Sequence, residues 1–121
     1  MRELYKQELR NLGVDVEEAL YRFLDNETLY EGFLSKFLKD TNFFNLKVSL
    51  NKDEIKEAIF YAHTLKGVVS NLSFLSLQEE VAVLVDLLRK NKILEAKKIF
   101  CICEQEYLTM CSLIMQFTEQ G

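Results

Sequence analysis

No proline occurs anywhere in the 121-residue chain, and glycine appears only four times, at Gly13, Gly32, Gly67 and Gly121. A chain so poor in turn formers is ill suited to a sandwich of many short strands and suits a few long helices. Basic charge is also in short supply, since 15 lysines and arginines stand against 19 acidic residues, a net charge of −4. That balance offers no cationic surface to a phosphate backbone and argues against nucleic acid as a partner. No apolar run is long enough to cross a bilayer and nothing resembles a signal peptide, so the expected location is the cytoplasm, with no membrane partner. There is no Gly-rich phosphate loop, no carboxylate cluster that looks like a Mg²⁺ site, no internal repeat and no low-complexity segment.

Cysteine is scarce and confined to one late segment, at Cys101, Cys103 and Cys111. An odd number argues against a disulfide framework. On a helix Cys101 and Cys103 lie about 200° apart, so they cannot jointly grip a metal, and apolar buried thiols are expected instead. Histidine is scarcer still, with His63 alone. Neither a catalytic triad nor a metal centre can be assembled from one histidine and three helical cysteines.

Hydrophobic residues make up 49% of the chain and charged residues 28%, enough apolar surface for one core without metal or disulfide staples. The apolar spacing predicts helices throughout. Arg2 to Leu12 carries Leu4, Tyr5, Leu9 and Leu12, with Gly13 as a stop. Asp15 is placed to cap a second helix whose stripe is Val16, Ala19, Leu20, Phe23 and Leu24, and Asn26 to cap a third with Glu27 in its first turn. That third segment runs through Leu29, Tyr30, Phe33, Leu34, Phe37 and Leu38 toward Leu50, with a kink or short break expected at Asp40-Thr41-Asn42. Asp53 is the expected cap of a fourth helix, over about 53–71. Ser73 or Ser76 should cap a fifth, with Leu77, Val81, Leu84, Val85 and Leu88 inward. A long last helix follows from Ile93 to Phe117. Substantial helices with short connections predict a single all-α domain over residues 1–121, an up-and-down antiparallel four-helix bundle with short N-terminal packing helices.

The helix over about 53–71 carries the chain's one patch of distinctive chemistry. At 100° per residue from His63, Ala58, Tyr61, Ala62, Leu65, Val68, Val69 and Leu72 form a core stripe. Ile59, Phe60, His63, Lys66, Gly67 and Ser70 share the opposite face, so His63 is expected to point outward. A lone histidine in a helix is more often an ordinary surface or core residue than a reactive one. Here, however, Lys66 and Gly67 follow at i+3 and i+4 on the same face. An imidazole can attack phosphorus, a lysine one turn away can neutralise the incoming anion, and glycine leaves room for it. A mid-helix glycine costs about 1 kcal/mol relative to alanine, a cost that access to the histidine would explain. Ile59 and Phe60 are apolar on a face otherwise read as exposed. Either the first or second helix covers them, or they form a docking surface beside the histidine, with Ser70 further along it. Burial of Phe60 decides between the two.

His63-Thr64-Leu65-Lys66-Gly67 resembles the His-x-Leu-Lys-Gly hallmark of the histidine-containing phosphotransfer (HPt) domains of phosphorelays. The likeness extends as compatible apolar spacing from about Asn26 to the last helix, and Asn71 and Leu72 match the family's pattern after the motif. Ser73 stands where that family usually has glycine, and Val85 where it commonly has Gln or Glu near the histidine. The resemblance implies that His63 is the phosphoacceptor, taking a phosphoryl group from a receiver-domain aspartate and passing it to another receiver. Lys66 would neutralise phosphate charge and Gly67 would clear the approach. It further implies a monomeric phosphoryl carrier rather than a self-sufficient enzyme. No cofactor would sit in this chain, Mg²⁺ would be held by the receiver, and the partners would be response-regulator receiver domains and a hybrid sensor kinase. The departures at Ser73 and Val85 leave the alternative of a degenerate HPt-like bundle that binds receiver or kinase domains without carrying phosphate.

Overall fold

A computed structural model describes residues 1–119 and is all-helical there, with no named strand. Seven helices follow in chain order: α1 (Glu3–Asn11), α2 (Val16–Arg22), α3 (Glu27–Phe37), α4 (Asn42–Asn51), α5 (Ile55–Asn71), α6 (Leu75–Arg89) and α7 (Ile93–Glu119). Two starts follow from their capping side chains. Asp15 accepts from the Glu18 N–H at 3.1 Å, and Asn26 accepts from the Leu29 N–H at 3.0 Å. Each satisfies one of the donors that a helix N-terminus leaves open. The interruption expected near Asp40 is a full break between α3 and α4. There the Asp40 carboxylate takes the Asn42 N–H at 2.9 Å, so the side chain competes with the helical ladder.

Five helices end in one and the same way. After α1, α4, α5 and α6 a single residue turns left-handed, Gly13, Asp53, Ser73 and Asn91, and after α2 two do, Leu24 and then Asp25. The two amides that follow the last turn of each reach back to its carbonyls, as when Ser73 N–H bonds Ser70 O and Phe74 N–H bonds Val69 O. This is the Schellman arrangement, in which glycine is the favoured left-handed residue because it has no Cβ. With so few glycines, the chain uses leucine, aspartate, serine and asparagine at four of the five places. Three expectations fail for this reason. Asp53 is not an N-cap, because it is the left-handed residue closing α4, and its carboxylate instead pairs with Lys97 of α7 at 2.8 Å. The motif helix therefore starts at Ile55 rather than 53. Neither Ser73 nor Ser76 caps α6, whose N-cap position is Phe74, without a side-chain bond. Leu24, expected in a core stripe, is 89% exposed in its turn.

Helices α4 and α5, α5 and α6, and α6 and α7 are joined by three-residue turns and pack along one another, while α1 and α3 lie against α7. One apolar cluster draws on every helix, from Tyr5 and Val16 to Leu46, Leu65, Leu84 and Ile114. Aromatic contacts tie the break between α3 and α4 to the rest. Phe43 stacks on both Phe100 and Tyr107, and Phe37 meets Phe74 edge-on. Buried Tyr30 donates its hydroxyl to Leu72 O at 3.0 Å, which fixes α3 against the end of α5. Of the three cysteines only Cys103 is buried; Cys111 is half-buried and Cys101 is exposed, against the expectation of three buried thiols.

The N-terminal pair α1–α2 is latched to the turn between α5 and α6. Val14 bridges Phe74, Leu75 N–H donates to Gly13 O, and Asp15 N–H donates to Ser73 O. Arg22 reaches from α2 to Ser70 O, Asn71 O and Ser73 Oγ, and Ser73 Oγ donates to Glu18 at 3.0 Å. Ser73, although left-handed and fully buried, thus has both its backbone and its hydroxyl engaged.

Candidate functional site

Helix α5 turns an alanine-rich inner face to the core: Ala58, Ala62, Leu65 and Val69 are buried. Small residues at Ala58 and Ala62 let neighbouring helices approach, and the ridge of Leu65 and Val69 fixes the rotation of α5 about its axis. That rotation places His63 outward. Its ring is exposed, Gly67 is exposed, and the Lys66 side chain is partly covered along its stem. Neither His63 nor Lys66 has a hydrogen bond or ion pair among the described residues. Thr64, between them in sequence, spends its hydroxyl on the carbonyl of Phe60 at 2.9 Å and adds nothing to the outer face.

Gly67 is in open space, since a Cβ built there would meet nothing within 4 Å. No packing inside the molecule requires glycine at that place. Phe60 is 63% exposed and touches only the edge of Tyr61 among aromatic rings, so neither α1 nor α2 covers it. Ile59 is partly buried against the core and Ser70 is half-buried, with its carbonyl taken by Arg22. Of the three residues expected to form a docking surface, Phe60 is the one that offers free apolar area. His63, Lys66, Gly67 and Phe60 are therefore brought to one outer face within two turns of α5.

One residue near this face had no signal in the sequence. Arg22 binds the carbonyls at the end of α5 from 48 and 49 residues away, where its positive charge also suits a helix C-terminus. On α6, Val83 is exposed outside the inward stripe. Val85 is buried and supplies no polar group. Among the described residues no group of three His, Cys, Asp or Glu side chains is arranged to hold a metal ion. No described helix is long and apolar enough to cross a membrane.

Comparison with protein-family models, with curated proteins and with solved structures finds no match.

Proposed function

We propose that this chain is a histidine phosphotransfer protein of a two-component phosphorelay. His63 accepts a phosphoryl group from a receiver-domain aspartyl phosphate and hands it to another receiver. The observation that carries the reading is the state of the outer face of α5, where an imidazole and an ammonium group, unpaired among the described residues, lie beside an open glycine and an exposed phenylalanine. In the transfer, an imidazole nitrogen forms a bond to phosphorus as the bond from phosphorus to the aspartate oxygen breaks, and the carboxylate leaves. Lys66 offsets negative charge on the phosphoryl oxygens, and Gly67 leaves the approach clear. Phe60 gives the receiver an apolar contact. Mg²⁺ belongs to the receiver, and the chain is a carrier rather than an independent catalyst.

In this reading α3–α4, α5, α6 and α7 are the four staves of an up-and-down antiparallel bundle, and α1–α2 is the short N-terminal packing unit. The protein works as a cytoplasmic monomer with receiver domains and a hybrid sensor kinase. The departure at Ser73 is a mild one, because Ser73 takes the left-handed conformation that glycine favours. Val85 is the observation that favours a binding-only relative, since a buried valine cannot hydrogen-bond the imidazole or the phosphoryl group.

The test is phosphoryl transfer from a panel of phosphorylated receiver domains to the wild type and to His63→Gln. An acid-labile, base-stable label that forms on the wild type and is lost in the variant is expected. A folded wild type that binds a receiver and takes no label would refute the carrier and leave the binding-only bundle.

A further inference from the structure

Away from α5, two carboxyl groups meet where α6 packs on α7. Ser76 and Glu80 lie one turn apart on α6, and Glu106 faces them from α7. Ser76 donates its hydroxyl to both Glu106 oxygens, at 3.2 and 3.3 Å. Glu80 Oε2 is sealed from solvent and, as a carboxylate oxygen, has no hydrogen-bond partner. Among the described residues neither glutamate is in an ion pair. The other group acting on Glu80 makes matters worse for a second negative charge: Glu79, also on α6, pushes the same way as Glu106, and among the described residues no charged group of α1 or α5 bears on it. The Cys103 thiol on α7, pushed up to about 12 by burial and by the two glutamates, stays protonated and neutral. A buried carboxylate without a donor, next to a second carboxylate, is costly, and a single proton between them removes both penalties.

The same place is where the N-terminal unit is fastened. Gly13 sits so tightly on Ser76 that an added Cβ would lie 2.8 Å from the serine Cβ. A cavity of about 470 Å³ between α1, α6 and α7, bounded by Asn11, Gly13, Ser76, Glu106 and Met110, reaches the Glu106 side of the pair and leaves Glu80 behind it. We propose that Glu80 and Glu106 hold one proton between them, and that this proton is the catch that keeps α1–α2 latched onto α6 and α7. When it leaves, two anions face each other across the helix interface, Ser76 can serve only one of them, and water enters through the cavity beneath Gly13.

Burial first, and then Glu106 beside it, push the Glu80 carboxyl up to about 7, from an ordinary value of 4.5. A group whose folded value lies above its unfolded one adds stability below the unfolded value and loses it as pH rises through the folded value. The catch is therefore closed in acid and released across neutral pH, the reverse of an ordinary ion-paired glutamate.

Thermal unfolding of the whole chain at roughly pH 5.5 and pH 8.5 tests this, with the wild type compared to Glu80→Gln and Glu106→Gln. Each amide keeps the shape of a protonated carboxyl and cannot ionise. The wild-type midpoint should fall by several degrees toward high pH, and both variants should lose most of that fall. Amide exchange at Asp15 and Leu75, whose N–H groups donate across the seam, localises the effect. After correction for base catalysis, their protection should drop with pH in the wild type and hold in the variants. If either folded variant keeps the wild-type fall, or if those amides respond no more than the rest of the chain, the shared proton is not the catch.

Discussion

The outer face of α5 and the junction around Ser73 are built on opposite principles. At the junction polar groups are committed to one another: Arg22 bonds four oxygens, Ser73 bonds two side chains, Asp15 and Leu75 each donate their amide across the seam, and Gly13 has no room for a methyl group. On α5, two cationic or titratable side chains have no partner among the described residues, a glycine faces empty space, and a phenylalanine is left in water. Committed groups report on the fold, because they are needed to hold it. Uncommitted groups that carry a cost point to something outside the molecule.

Substitutions that swap the roles of the two regions sharpen this contrast. The largest effect is expected for Gly13→Ala, which places a Cβ against Ser76 at a φ of +85°. A loss of about 2–4 kcal/mol in urea unfolding is expected, with phosphoryl transfer unchanged wherever the protein remains folded. Ser73→Ala strips two hydrogen bonds from a buried turn and should cost about 1–2 kcal/mol, again without changing transfer to His63. Gly67→Ala should do the opposite. The urea midpoint rises by the equivalent of about 1 kcal/mol, since a helical glycine is replaced in open space. On the proposed carrier reading the new methyl group would lie in the path of the phosphoryl group, and transfer should fall on the order of 100-fold. A Gly67→Ala protein that is less stable and fully active would break the comparison. Leu24→Gly relieves an exposed leucine of its left-handed backbone and should add about 1 kcal/mol, read as a higher thermal midpoint. Phe60→Ala should move stability by no more than about 0.5 kcal/mol, yet weaken receiver binding measured by calorimetry.

Most of the fold was legible because it rests on local rules. Asp15 and Asn26 were recognisable as caps from their place ahead of apolar stripes, and the break at Asp40 from a run of residues whose side chains bind their own backbone. The inward stripes of α5 and α6 followed from period 3.6, as did the outward placement of His63 and Phe60. The misread caps at Asp53 and Ser73 share one cause. Asp53 and Ser73 have the chemistry of N-caps but the backbone of helix ends, and a sequence cannot say which of two adjoining helices such a residue serves when glycine is not there to mark the end. Asp53 is held by Lys97, 44 residues away, and Ser73 by Glu18 and Arg22, more than 50 residues away. The Glu80–Glu106 pair was invisible for the same reason, since each looks alone like a solvated residue on a helix surface.

The left-handed helix ends have one more consequence, for the cell's proteases. Because one residue reverses the chain after α4, α5 and α6, the three turns that follow are only three residues long, and no connection between the first and last described helices exceeds four. A protease needs an extended stretch of backbone to thread its cleft, and here there is none to take. Cleavage within residues 1–119 must wait for helices to come apart, so its rate reads the opening equilibrium of the whole assembly rather than the looseness of any one segment.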